Sequence, residues 1–272
     1  MDFAEHESIR RVMRSVRPDL IVNAAAYTAV DRAESERGAA MQVNADAVEV
    51  LAKEAKQIGA PIIHYSTDYV FDGEKDQPYL ETDQTNPLNV YGSSKLAGEQ
   101  ALAASGVPFL IFRTSWVYAS HGKNFLLTML RLAEERSRSG VPLKIVRDQI
   151  GAPTAARDIA EATRAIIAAL AGGGDGLKQA LAQASGMYHM ASQGRTTWYH
   201  FAAAILQDSG HNATLLPIST SEYPTPAARP RNSLLDCSKL AETFRTGNAG
   251  LALPHWEQGL RRTLDELQKA TI

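Results

Sequence analysis

Apolar positions along the chain switch repeatedly between helical spacing and short continuous runs. Ile9, Val12, Met13 and Val16 recur on one face, which predicts a helix over 5–16. The short run 20–22 reads as a buried strand with polar Asn23 at its C-terminal end. Val48, Leu51, Ala52 and Ala55 define a second helix, with Asn44 as its cap and Gly59 as its stop. After Pro61 comes a strand, IIHYSTDYVF, and then a turn-rich loop, DGEKDQPYLETDQTNPLN. A helix from 91 to about 105 presents Leu96, Gln100 and Ala103 along one side. The pattern continues with a strand (VPFLIFRTSWVYA), a helix (FLLTMLRLAEER) and a strand (PLKIVRDQ).

Such alternation, with apolar strands, is the signature of parallel βαβ units covered by helices on both faces. The expected class is α/β, a Rossmann-like doubly wound parallel sheet over residues 1–145. A smaller, mixed C-terminal lobe over 146–272 is expected to be partly interleaved with it. Ligands bind such sheets at the C-terminal ends of the strands. Polar and aromatic residues gather at three such ends: 23–28, 66–69 and 113–118. Beyond about 145 the texture is mixed. A loop and helix (GAPTAARDIAEATRAIIAALAGGG) run into a flexible GGGDG tip. GMYHMASQG is a short strand and turn, Thr196 and Thr197 open a helix, and YPTPAARPRNS is an irregular basic loop. The last helix carries Trp256, Leu260, Leu264 and Leu267 on one face.

Composition removes several function classes. The 272 residues carry 28 Lys+Arg against 30 Asp+Glu, a net charge of −2, so no basic face for nucleic acid is expected. The single cysteine, Cys237, excludes a disulfide framework and points to a reducing compartment. No apolar run approaches membrane-spanning length, and the N-terminus lacks the apolar core of a signal peptide, so a cytoplasmic protein is expected. None of the seven histidines forms a spaced metal cluster, and no metal is expected.

The chemistry is carried by Tyr91-Gly-Ser-Ser-Lys95, at the start of a predicted helix. Residues four apart share a helix face, so Lys95 can lie beside the Tyr91 phenol. A phenol titrates near pH ~10, and a neighbouring ammonium lowers that value. The product is a general acid suited to interconverting a carbonyl and an alcohol. Thr67, at the end of the preceding strand, places a hydroxyl where it can bond the same substrate oxygen. Alone, Tyr-x-x-x-Lys is common by chance; its place after a strand ending in Ser66-Thr67 gives it weight.

The segments RPDLIVNAAAYTAVDRAE, HYSTDYVFDG, PLNVYGSSKLAGE, FRTSWVYA, DQIGAPT, YHMASQGRTTWY and YPTPAARPRNSLLD together resemble the dTDP-4-dehydrorhamnose reductases, extended members of the short-chain dehydrogenase/reductase superfamily. The resemblance spans nearly the whole chain. It implies NADPH or NADH as cofactor and a nucleotide-sugar substrate reduced at its C4 keto group. Tyr91 would be the proton donor, Lys95 would lower its pKa and hold the nicotinamide ribose, and Thr67 would complete the triad. Asp68 would stand at the substrate, and Ala26, Tyr27 and Thr28 would line the cofactor. Trp116 would pack on the sugar nucleotide, with burial in the core as the competing reading. The loops 149–154 and 226–233 would close the substrate site, with Arg229 and Arg231 as diphosphate partners. Oligomeric state stays open, a homodimer being one outcome that the resemblance allows.

His64 reads as a packed core residue, Asp31 and Glu34 as a solvated or interface face, and Cys237 as structural. A Rossmann-type unit opens with a strand and a glycine-rich turn that takes the pyrophosphate. The first glycine here is Gly38, in a helix-like stretch. The resemblance therefore implies that the turn and one βαβ unit, ~30 residues or more, precede the segment present. That leaves two alternatives: a non-catalytic nucleotide-sugar-binding subunit on the same fold, or another nucleotide-sugar reductase or epimerase.

Overall fold

The computed structural model describes residues 1–172, 176–246 and 249–270; the centre of the glycine tip, 173–175, lies outside them. Three helix–strand pairs build the main sheet: α1 (His6–Val16) with β1 (Ile21–Asn23), α2 (Ala47–Ile58) with β2 (Ile62–Thr67), and α3 (Val90–Ala104) with β3 (Phe109–Thr114). The chain continues through α4 (Phe125–Ser139), β4 (Leu143–Val146) and α5 (Ala156–Ala171) to β5 (Gly186–His189). The sheet order is β1-β2-β3-β5, every pair parallel, with Asn23 opposite His64 and Arg113 opposite His189.

Alternation within each strand divides its side chains between two cores. Ile62 and Ile111 meet Ile9, Met13, Val48, Leu51 and Leu102 on one face. Ile63, Leu110 and Phe112 meet Ile159, Ile166 and Leu240 on the other. Helices thus cover both faces of a doubly wound parallel sheet, the class the alternation predicts. A third core joins α4 and β4 to α6 (Trp198–Ser209), β6 (Leu215–Ile218) and α7 (Trp256–Ala270), around Phe201, Ile205, Trp256 and Leu260.

Several local expectations are corrected. Val16 is exposed, because the contact of α1 with α2 ends at Met13. Val22 is 46% exposed rather than buried, because β1 is an edge strand among the described residues. Of the side of α3 that carries Leu96, Gln100 and Ala103, only Leu96 is half-buried, against Val70, Phe71 and Tyr79; the fully buried face is Gly92, Ser94, Lys95, Gly98, Glu99 and Leu102. Small residues there admit backbone. A Cβ at Gly98 would stand 2.0 Å from the Asn44 carbonyl oxygen, and one at Gly92 would stand 2.2 Å from that of Tyr69. Polar members of that face are paired across the core: Arg113 on β3 grips Glu99 with two hydrogen bonds, 2.9 and 2.6 Å.

Asn44 is not a cap. It is buried within a π-helical turn, Gln42–Asp46, that precedes α2. Such turns concentrate at functional places, and here the side chain clamps the loop after β1. Its Oδ1 accepts from the Tyr27 N–H (2.8 Å), and its Nδ2 donates to the Tyr27 carbonyl (3.0 Å) and the Ser94 hydroxyl (2.9 Å).

Candidate active site

The polar ends of β1, β2 and β3 open toward the first turn of α3. Beyond β2 the backbone tightens into a 3₁₀ turn, Asp68–Val70. Thr67 caps that turn: its Oγ1 accepts from the Tyr69 N–H (3.2 Å) and donates to Asp68 Oδ1 (3.1 Å). Asn89 caps α3, its Oδ1 accepting from the Gly92 N–H (2.8 Å). Tyr91 and Lys95 follow one turn apart. The Tyr69 ring stands edge-on to Tyr91, centroids 5.6 Å apart.

Burial pushes the Tyr91 phenol up to about 12, Thr67 pulls it back through a hydrogen bond, and the Asp68 charge adds to the rise. Lys95 does not lower it here. Its amine is turned the other way, donating to the Tyr65 carbonyl (2.7 Å) and facing His64 Nε2 at 3.4 Å. The tuning expected from the one-turn spacing therefore does not operate in this arrangement, since helix spacing fixes the face but not the direction of a flexible lysine. Burial brings Lys95 itself down to about 8, against the pull of Glu99. Asp68 is raised to about 7 by burial, offset in part by the Ser233 and Thr67 hydroxyls, and its Oδ2 has no hydrogen-bond partner.

Ala26, Tyr27 and Thr28 lie in the coil after β1, with Thr28 exposed and the other two partly buried. Tyr27 and Tyr91 pack against the same cluster of Ala33, Ala40 and Val90, but the Tyr27 phenol is already committed to Glu36. Trp116 stands in the left-handed region at φ +50°, a conformation that a bulky residue holds only under constraint. Its indole lies flat on Trp198, centroids 3.6 Å apart, and a Cβ at Gly151 would approach within 2.4 Å of it. Trp116 is thus walled in. It is Trp198 that borders a cavity of about 380 Å³, with Tyr69, Phe125, Gln149, Tyr223 and Arg229. Gln149 is also tied down: its Oε1 accepts from the Trp198 indole N–H and its Nε2 donates to Thr220, both at 3.1 Å.

Arg229 reaches this cavity already paired. Two hydrogen bonds of 2.8 Å join it to Asp31, and Nη1 also donates to Thr225 and Ala227. Arg231 is exposed, 3.9 Å from Asp76. Asp31 is half-exposed and Glu34 exposed, in line with a solvated or interface face, yet both carboxylates are engaged. Asp31 holds the 226–233 loop, and Glu34 accepts the Val90 N–H at the start of α3 (2.8 Å). Cys237 is a free thiol whose pKa burial raises. Among the described residues no cluster of His, Cys, Asp and Glu could hold a metal ion, and no helix is long and apolar enough to cross a membrane.

Tyr69, Gln149 and Trp198 carry no individual role in the sequence reading, and Asn44 only that of a helix cap. Tyr69, Gln149 and Trp198 stand in the quoted segments and Asn44 does not; only folding brings residues 44, 94 and 27, or 149 and 198, together.

Residues 1–269 match the family model for the RmlD substrate binding domain. The chain belongs to that family. The dTDP-4-dehydrorhamnose reductase of Escherichia coli K12 is 47% identical over 99% of this chain and 87% of its own length. That of Burkholderia thailandensis is 49% identical over 94% of this chain and 84% of its own. Among solved structures, the Bacillus anthracis dTDP-4-dehydrorhamnose reductase in complex with NADP aligns with a TM-score of 0.85 at 34% identity, covering 98% of this chain and 87% of that one.

The residues present in this RmlD family chain fit one end of such a dinucleotide. Tyr91, buried Lys95 and the coil at 24–29 lie at the C-terminal ends of the strands, with hydroxyl and amine groups of the kind a ribose takes. No glycine-rich turn for a pyrophosphate occurs in the 272 residues.

Proposed function

We propose that this chain is an NAD(P)H-dependent reductase that converts the C4 keto group of dTDP-4-dehydro-L-rhamnose to the alcohol of dTDP-L-rhamnose. The observation that carries the reading is the convergence of Thr67, Asp68 and Tyr91 where β2 meets α3, with Lys95 buried behind them. When bound, NAD(P)H supplies the hydride. The chain's part is positioning and proton delivery. Tyr91, raised to about 12, stands protonated at neutral pH, the form that reduction consumes. Its O–H proton passes to the carbonyl oxygen as the hydride reaches carbon. Thr67 steadies the resulting phenolate by hydrogen bonding, and Lys95, once turned toward it, steadies it by charge. Lys95 would also hold the nicotinamide ribose, with Ala26, Tyr27 and Thr28 along the ring. Asp68 sits beside the reacting oxygen, and the recess of Trp198, Gln149 and Arg229 accepts the nucleotide side, with Trp116 supporting it from behind.

The family relationship and the free thiol fit a cytoplasmic enzyme, and the homodimer is carried over from the family as part of this reading. The test is direct: the purified chain is mixed with dTDP-4-dehydrorhamnose and NADPH or NADH, absorbance loss is followed, and the product is identified. Turnover to dTDP-rhamnose is expected. One feature favours a second reading, a nucleotide-sugar-binding subunit: the Lys95 amine is turned from Tyr91 toward the Tyr65 carbonyl. That reading predicts sugar-nucleotide binding by calorimetry without any turnover. An epimerised product with no net cofactor consumption would sink both.

A further inference from the structure

His64 sits at the middle of β2, fully buried, between Asn23 and Lys95. Its two ring nitrogens face these neighbours separately, and the hydrogen-bond directions fix which one carries the proton. Asn23 Oδ1 accepts from the Ala25 N–H at 3.1 Å. A backbone N–H can only donate, so the oxygen of that amide points to Ala25 and its Nδ2 points to His64 Nδ1, 3.0 Å away. An amide nitrogen has no lone pair to offer, so Nδ1 must accept. The imidazole is neutral, held well below its ordinary pKa first by burial and then by the Lys95 charge. Its proton is therefore on Nε2, the nitrogen that faces the Lys95 amine at 3.4 Å.

We propose that His64, locked by Asn23 as the Nε2–H tautomer, is a positioning residue for the reduction: it presents a donor rather than an acceptor to the Lys95 amine and weakens that residue's hold on its proton. An ammonium facing an N–H meets two like dipoles, whereas a free amine accepts that N–H. Among the described residues the ammonium's acceptor is the Tyr65 carbonyl. The other charges around it are accounted for. Glu99, one turn further along α3, is gripped by Arg113 from β3, and Asp68 lies on the Tyr91 side. The consequence for catalysis rests on the reductase reading. After Tyr91 has given its proton to the substrate oxygen, Lys95 turns from His64 to Tyr91, hands a proton to the phenolate, and recovers one from solvent. A loosely held proton makes that return easier. This explains a buried histidine that packing alone would fill with an aliphatic side chain, and an asparagine at the edge strand's last position.

The experiment has two arms. In protein with ¹⁵N-labelled histidine, His64 is expected to show a protonated Nε2 and a bare Nδ1 throughout the neutral range; the reverse assignment overturns the proposal. In the second arm, Lys95 ionisation is followed by its ¹³Cε shift in wild type, H64L and H64Q. In H64Q the glutamine oxygen takes the Asn23 amide and its NH₂ faces Lys95, so the donor survives. Lys95 in H64L is expected to titrate on the order of one pH unit higher than in wild type, and Lys95 in H64Q with wild type. The alkaline fall of kcat/KM should move in step. Coincident Lys95 titrations in wild type and H64L also overturn it. If H64L does not fold, the tautomer measurement on wild type decides. Absence of turnover in all three proteins would count against the reductase reading and leave both spectroscopic arms readable.

Discussion

At the scale of the residue, the site is a set of buried groups whose charge states are set by what they cannot reach. Tyr91 keeps its proton because its surroundings are dry and Asp68 is near. Replacing it with phenylalanine removes the proton source and little volume. Y91F is expected to lower kcat by roughly 10²–10⁴-fold while calorimetry finds sugar-nucleotide affinity within a few-fold of wild type. A variant that retains wild-type kcat would remove Tyr91 from its role. Asp68 gives a second prediction. Its pKa is raised by burial to about 7 in the folded chain. A raised folded value means that its contribution to stability is complete below the ordinary carboxylate range and is lost as pH climbs through about 7. The amide introduced by D68N does not titrate. D68N should therefore gain on wild type in thermal unfolding as pH rises across that window, by on the order of a few kcal/mol at the alkaline end. A difference in melting temperature that does not vary with pH would refute the assigned shift.

At the scale of the element, α3 is the carrier of the site, and it works because it lies unusually close to its neighbours. Gly98 lets the helix touch the π-helical turn at Asn44, whose side chain clamps the Tyr27 loop. G98A puts a methyl where only backbone fits. The chain must open by more than a flexible side chain could yield, and the Asn44 bond to Ser94 is strained with it. The melting temperature should fall on the order of 5 °C. G38A is the control, since a Cβ there meets nothing within 4 Å in a short helix; it should be neutral or slightly stabilising. Equal losses in the two variants would show that the close approach does not matter. This helix also marks how far the sequence could be read. The alternating periods placed the helices and strands of the main sheet to within a few residues, and the Thr67, Tyr91 and Lys95 chemistry was legible because it depends on local spacing and strand ends. The buried face of α3 was not legible. Apolar periodicity points to Leu96, which is only half-buried, whereas the fully buried face, Leu102 apart, is Gly, Ser, Lys and Glu, chosen for close approach and for partners that arrive from other elements. Asn44 was misread for the same reason: its partners, Tyr27 and Ser94, lie 17 and 50 residues away. The direction of the Lys95 amine and the indole wall around Trp116 likewise depend on the tertiary neighbours His64, Tyr65 and Gly151.

At the scale of the whole molecule, the segment around 225–233 crosses back from the C-terminal part of the chain onto the first strand–helix units and fixes one wall of the site. Its far end, 231–233, is tied by backbone hydrogen bonds to Gly73 and Ile150, and its near end is seated by three contacts. The Asp31 carboxylate holds the Arg229 guanidinium and the Ala227 N–H across 198 and 196 residues of sequence, and the Asn89 amide that caps α3 donates to the Ala228 carbonyl. Arg229 therefore arrives at the cavity with its charge already matched, and its pairing with Asp31 orients the strap that forms the cavity wall. Removing the carboxylate should loosen the strap without disturbing Tyr91. D31A is expected to raise KM for the sugar nucleotide severalfold while kcat changes less, and to speed proteolytic cleavage around Tyr223, which is exposed. D31N, which keeps an acceptor for Ala227 but loses the charge, should fall between. Since Asp31 is partly solvated, added salt should weaken the pair: KM should climb with ionic strength more steeply in wild type than in D31A. If cleavage and KM are the same in wild type and D31A at low salt, the strap is held without Asp31, by Asn89, the backbone bonds of 231–233 and packing, and Arg229 is free to turn its fork on a diphosphate instead.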